Sequence, residues 1–278
     1  MSLPTDRQPV DGPTEFPELN DVLRDLVANA REILGDSMAG AYLQGSFALG
    51  DADIDSDCDF LIPLERPVSA QQEHDLRGLH SDIPIRPGHW TRHLEGSYPP
   101  IGRLATLDGL GESWLYIDHG WREMQWSTHC NTEVVRWTLR EHGVTLAGPD
   151  PRTFMDEIRP DLLRSRMRRD VTTYLTDLEG WVSLDIAWAQ RYAVTTLCRI
   201  AFTAEHGTVA SKRTALLWAR TAFDPRWSPL IDAVLADRPL GFDPAMAPRP
   251  GSVTDTRVLN EYVVDRVTGT SHASASTT

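Results

Sequence analysis

The chain has 278 residues, 41% of them hydrophobic, enough for two domains of ordinary size or one large one with packed cores. Its 27 Lys and Arg against 40 Asp and Glu leave a formal charge of -13, which repels phosphate backbones and anionic lipid, argues against nucleic acid and suits a cationic ligand. The three scattered cysteines, Cys58, Cys130 and Cys198, suggest neither a disulfide framework nor a zinc motif, and no apolar stretch forms an export signal or approaches the roughly 18 residues of a membrane span, so a protein of the reducing cytoplasm is expected.

Residues 1–17 form a polar, proline-containing leader that is expected to be loose. An amphipathic helix follows over 18–34, with Leu19, Val22, Leu23, Leu26, Val27, Ala30, Ile33 and Leu34 at helical spacing and Gly35 as its stop. A short apolar strand over 39–44 breaks at Gly45-Ser46, an acidic loop covers 50–56, and a second strand covers 57–63. Residues 69–79 read as a polar surface helix. Residues 89–96 read as a third strand, with Trp90, Arg92 and Leu94 on one side and Thr91, His93 and Glu95 on the other. Proline and glycine punctuate 98–112, 114–117 reads as a strand, 132–141 as a helix closed by Gly143, and 144–147 as a strand. Gly148-Pro149-Asp150-Pro151 marks the boundary between a first domain over 1–150 and a helical one over 151–268, with helices at 160–178, 184–205, 211–222, 225–236 and 254–267. The small, polar residues 269–278 read as a disordered tail.

From Asp51 every second residue is aspartate: Asp51, Asp53, Asp55, Asp57 and Asp59. If the last two lie in a strand, period-two geometry puts both carboxylates on one face, ~7 Å apart along the chain. Such a pair repels itself, and a divalent cation supplies the missing charge; Mg2+ takes one or two carboxylates together with phosphate oxygens. An acidic run also reads as a solvated loop. A calcium loop fails, because Ser56 stands where glycine is needed and Ile62 where a bidentate glutamate belongs. Gly45-Ser46 favours the metal reading: glycine lets backbone approach a phosphate, and the Ser46 hydroxyl and nearby N–H groups hold anionic oxygens if a helical turn starts about Phe47.

Gly45-Ser46 followed by Asp57-Cys58-Asp59 on the next strand resembles the signature of the nucleotidyltransferase superfamily. More narrowly, the chain from about 43 to about 235 is similar to the bacterial aminoglycoside adenylyltransferases that modify streptomycin and spectinomycin. The second anchor is Leu197-Cys198-Arg199-Ile200 with Gly207, Ser211-Lys212 and Trp218-Ala219. The resemblance implies an α+β architecture: a nucleotidyltransferase domain with a mixed β-sheet flanked by helices, then an all-α helical bundle, with the active site in the cleft between them. It also implies ATP and Mg2+, with Asp57 and Asp59 on the metal, Gly45 and Ser46 on the triphosphate, and Glu95 as the catalytic glutamate that accepts a proton from the attacking hydroxyl.

Arg199 and Lys212 would then clamp the phosphates from the helical domain. Lys212 falls in the first turn of a helix capped by Ser211, where the macrodipole disfavours a cation unless an anion is near, and Arg199 lies in an apolar helix that would bury it at a cost. For the acceptor, Trp181, Asp185, Trp188 and Tyr192 recur at i, i+4, i+7 and i+11, a stripe able to hold a protonated amino sugar; core packing is the preferred reading of Trp188 and Tyr192. An unbroken helix would leave Asp185 ~21 Å from Arg199, and a bend before about Trp188 would relieve this. Trp181 and Asp185 resemble drug-contacting positions of the family. No further acidic contact stands near Ala189 and Gln190, and the segment 97–127 departs from the family pattern, so the resemblance does not extend to a particular drug.

His119, His129 and Cys130 match no zinc spacing and are expected in structural or polar-cleft roles, while His89 and His93 are expected at the surface. The expected activity is transfer of AMP from ATP to a hydroxyl of a small cationic acceptor, an aminoglycoside or aminocyclitol, by a monomer or weak dimer. The alternatives are a non-catalytic nucleotide-binding regulator and an enzyme that nucleotidylates a protein partner.

Overall fold

A computed structural model describes residues 12–54 and 56–269, so Asp55, the first eleven residues of the expected leader and positions 270–278 of the expected tail lie outside the described residues. The described end of the leader is not loose: the Asn20 side chain accepts from Thr14 N–H at 3.0 Å and donates to the Thr14 carbonyl at 3.0 Å, and Phe16 packs against Phe47 and Trp90. Helix α1, Pro17–Leu34, starts with proline in its first turn and ends at Gly35, whose φ of 55° only glycine adopts readily. Its buried stripe of Leu19, Leu23, Leu26, Ala30 and Leu34 covers one face of the sheet, each buried leucine stabilising by about 2 kcal/mol.

Strand β1, Ala41–Leu43, leads into α2, a single turn over Gly45–Ala48, and then β2, Cys58–Leu61. Helix α3, Ala70–Asp82, begins with a capping box of Ser69 and Gln72 and returns the chain for β3, Leu94–Tyr98, to pair in parallel with β2. The sequence missed two elements here, the short helix α4, Ile101–Ala105, and strand β5, Gln125–Ser127, which follows β4, Trp114–Ile117. Helix α5, Glu133–His142, capped by Thr132, and β6, Val144–Ala147, complete this half. The sheet order is β5-β4-β3-β2-β1-β6, and every pair except β2–β3 is antiparallel, so the sheet is mixed. Cys58, Phe60, Leu94, Leu115 and Ile117 face α1 and α3; Tyr42, Leu61, Trp114 and Tyr116 face the other way with Leu139 of α5.

The chain divides into two compact units between Glu157 and Ile158, a few residues beyond the Gly148–Pro151 punctuation. The expected helix over 160–178 is two helices in the second unit, α6, Pro160–Asp170, and α7, Tyr174–Glu179. Helices α8, Ala187–His206, α9, Lys212–Ala222, α10, Ser228–Asp237, and α11, Ser252–Thr268, follow. Helix α8 is the core, packed by α6, α9 and α11 through Ala189, Ala193, Val194, Leu197 and Ala201, and it ends at Gly207 in the left-handed conformation. Among the described residues no helix is long and apolar enough to cross a membrane.

Candidate active site

The acidic loop is held by its own turn: Ser56 Oγ donates to Asp53 Oδ1 and accepts from Asp53 N–H, both at 2.9 Å. Asp57 stands one residue before β2 rather than within it, and Asp59 is the second residue of the strand. Asp59 is the direct register partner of Glu95 on β3. Paired residues of parallel neighbours project to the same face with backbones about 4.8 Å apart, so Asp59 and Glu95 emerge side by side. They lie on the face of Leu61 and Tyr116, opposite the one that Phe60 and Leu94 bury.

Gly45 closes the site on the β1 side. Its φ is +63°, and a Cβ placed on it would lie 1.9 Å from Asp59 Oδ2. The peptide before it is tied to the same strand, since Gln44 N–H donates to the Asp59 carbonyl at 2.9 Å. Backbone and carboxylate therefore approach as no side chain would permit. Ser46 shares this turn and is half-buried.

The third expected strand begins only at Leu94, because Trp90–Arg92 form a 3-10 turn. Tertiary packing overrides the alternation there: Trp90 buries its ring against Phe16 and Phe47, and Thr91 Oγ1 donates to the Arg86 and Gly88 carbonyls. Glu95 nevertheless keeps its expected face. It is 9% exposed, with His129 Nε2 at 3.2 Å from Oε1. The Tyr116 hydroxyl donates to Asp118 Oδ1 at 3.1 Å. His119 Nδ1 meets Asp57 Oδ1.

The surrounding groups register this negative charge. The hydrogen bond to Glu95 raises the pKa of His129 against the opposing effect of burial, and the bond to Asp57 does the same for His119. Burial pushes the Tyr116 phenol up, with the Glu95 and Asp118 charges adding to it. Cys58, between the two aspartates, is held well above the thiol range by burial first and then by Asp59 and Asp57. Neither His119 nor His129 has a motif spacing that would announce it, because the loops after β4 and β5 bring them to the carboxylates only in the folded chain.

In the helical unit, the half-buried Arg199 donates from Nε to the Ala210 carbonyl at 3.3 Å, which sets it beside the start of α9. Ser211 caps that helix, accepting from Thr214 N–H at 3.1 Å, and Lys212 is exposed in its first turn. The stripe through Trp181 and Asp185 is corrected: both lie in a loop between α7 and α8, closed by Trp181 N–H and Val182 N–H on the Leu178 carbonyl and by Ser183 Oγ accepting from Asp185 N–H. The helix read from 184 therefore begins only at Ala187, after a loop. Trp181, 65% exposed, stands 6.0 Å from Trp188 and lines a recess of about 320 Å³ with Asp170, Tyr174, Asp177 and Tyr192, while Asp185 lies outside that lining.

A mixed sheet that aligns carboxylates on neighbouring parallel strands against a Gly-Ser turn, followed by a helical unit, defines an α+β transferase of nucleotidyl groups. Residues 24–87 match the family model described as nucleotidyltransferase domain, and residues 154–239 match that of the aminoglycoside adenylyltransferase C-terminal domain. The chain is an aminoglycoside adenylyltransferase-like nucleotidyltransferase. Among solved structures it is similar to the spectinomycin adenyltransferase AAD(9) from Enterococcus faecialis, determined with ATP and spectinomycin. The TM-score is 0.64 at 13% identity, covering 89% of this chain and 98% of that one, a likeness of fold. No curated protein matches the chain in sequence.

Proposed function

We propose that this enzyme transfers AMP from ATP to a hydroxyl of a small cationic acceptor, an aminoglycoside or aminocyclitol, with Mg2+ as the nucleotide's cation. The observation that carries this reading is the approach of Gly45 to Asp59, which itself stands in register with Glu95, a cradle that a single Cβ would fill. Its donor set suits a hard, oxygen-seeking ion and a phosphate chain: carboxylates at Asp57 and Asp59, and backbone and hydroxyl at Gly45 and Ser46. When bound, Mg2+ supplies screening of the phosphates and polarisation of the reacting phosphoryl group.

Glu95 accepts the acceptor's hydroxyl proton as the oxygen bonds to the α-phosphorus and the bond to pyrophosphate breaks. Its near burial keeps water from competing, and His129, touching Oε1 and itself exposed, offers that proton a route to solvent. Arg199 and Lys212 contribute positive charge toward the phosphates, and Trp181 and Asp185 contribute apolar surface and negative charge toward the acceptor. The recess of Trp181, Tyr192, Asp170 and Asp177 also holds Arg166, which is ion-paired with Asp170, so Asp177 and the aromatic faces are what support a cationic acceptor there. A monomer or weak dimer acting in the cytoplasm fits a reaction between small molecules.

Purified protein with ATP, Mg2+ and a panel of aminocyclitols tests the reading through pyrophosphate release. Release that disappears in Asp59→Asn and falls by about 100-fold or more in Glu95→Gln supports it. ATP binding without turnover on any acceptor would leave a regulator instead, and label on a protein rather than a small molecule would point to protein nucleotidylation.

A further inference from the structure

Three side chains from separate segments converge beside the carboxylate pair. Asp57 ends the acidic loop, His93 follows the 3-10 turn before β3, and His119 lies in the loop after β4. One ligand atom from each, a carboxylate oxygen and two imidazole nitrogens, lies within 4.8 Å of the other two, and all three residues are half-buried. The His93 and His119 rings are 4.8 Å apart between centroids, and His119 Nδ1 is already on Asp57 Oδ1. The arrangement is braced: His89 stacks on His93 at 4.1 Å while its Nε2 is hydrogen-bonded to the Ile54 carbonyl at 2.7 Å.

Ligand atoms around a tetrahedral zinc ion lie about 3.3 Å apart, given bonds of about 2.0–2.1 Å, so small side-chain rotations close this set on an ion. Two imidazoles and one carboxylate with a position left open suit Zn2+ and its late first-row neighbours, whereas Mg2+ takes oxygen ligands and parts with its water reluctantly. The chemistry therefore separates this cluster from the all-oxygen cradle of Asp57 and Asp59, although the two share one aspartate. We infer that Asp57, His93 and His119 form a site for a divalent transition ion of the Zn2+ or Co2+ class, whose occupancy withdraws Asp57 from the nucleotide's cation and so weakens nucleotide binding. The antagonism rests on the reading of Asp57 as a nucleotide-site ligand; the ion site itself does not.

Titrating the nucleotide-free full-length protein with Co2+ and following its visible absorption reads the site directly. A saturable one-to-one spectrum is expected, with affinity lowered by at least about 100-fold in His93→Ala and in His119→Ala. Urea unfolding of both variants shows that they fold, and each is compared with its own Zn2+-free binding of a fluorescent ATP analogue in Mg2+. Added Zn2+ should weaken that analogue's binding in the wild type and leave it unchanged in His119→Ala. Equal Co2+ affinity in wild type and both histidine variants overturns the site, and Zn2+ antagonism that persists in His119→Ala overturns the shared-aspartate brake. If Co2+ binding follows the two histidines while the analogue never binds, the ion site stands and the nucleotide reading falls.

Discussion

Gly45 is constrained twice over. Its φ of +63° disfavours any L side chain, and a methyl group would overlap the Asp59 carboxylate. Gly45→Ala should therefore raise the KM for ATP and lower kcat/KM by about 100-fold, at a stability cost of about 1–2 kcal/mol, as steady-state kinetics and urea unfolding would show. His80 offers a test remote from the chemistry. Burial lowers its pKa from 6.5 to about 3, its Nε2 shares a hydrogen bond of 2.7 Å with the Tyr98 hydroxyl, and its ring stacks on Phe60. Below pH 6.5 the unfolded chain takes up a proton here that the folded chain refuses, so stability falls as pH drops from about 6.5 toward 3. The slope reaches at most ~1.4 kcal/mol per pH unit, and His80→Gln should remove that contribution in unfolding measured across pH 4–7. Arg136 is 1% exposed and is solvated entirely by the protein, through the Asn131 side chain and the Arg103, Leu104 and Thr106 carbonyls. Replacing it by methionine strands those acceptors and should destabilise by about 3 kcal/mol in urea unfolding, loosening the segment that precedes β4.

At the scale of elements, caps and neighbours decide what helical periodicity leaves open. Ser211 was legible as the cap of α9, and Ser211→Ala should cost about 1 kcal/mol and raise the KM for ATP modestly by fraying the turn that carries Lys212. Periodicity alone ran α6 and α7 together and carried the next helix back over Asp185. The interruptions at Val171–Thr173 and Trp181–Ile186 are set by local hydrogen bonds, such as Ser183 Oγ with Asp185 N–H, and by rings that pack once the neighbouring helices are in place. β5 lay below recognition because Gln125, Trp126 and Ser127 are too few for a period-two pattern to stand out, and they are ordered by pairing with β4.

For the whole molecule, the two units correspond to the two kinds of pattern in the chain, alternating short strands first and successive amphipathic helices afterwards. A ligand that binds only the folded form stabilises by about 2.7 kcal/mol at 100 times its Kd. ATP with Mg2+ should therefore raise the melting temperature of the wild type by several degrees and that of Asp59→Asn hardly at all, in a thermal shift measured with and without the nucleotide.

The α+β order, the Gly45-Ser46 turn, the spacing of Asp57 and Asp59 and the face taken by Glu95 are legible along the chain, because period-two and helical spacing and glycine's conformational freedom are properties of neighbouring residues. It takes the folded chain to show that Asp59 stands in register with Glu95, that Asp57 lies just outside its strand, and that His93, His119 and His129 reach these carboxylates from loops far apart in the chain. Register and loop convergence depend on packing energies summed over the whole sheet, and no local pattern of residues encodes that sum.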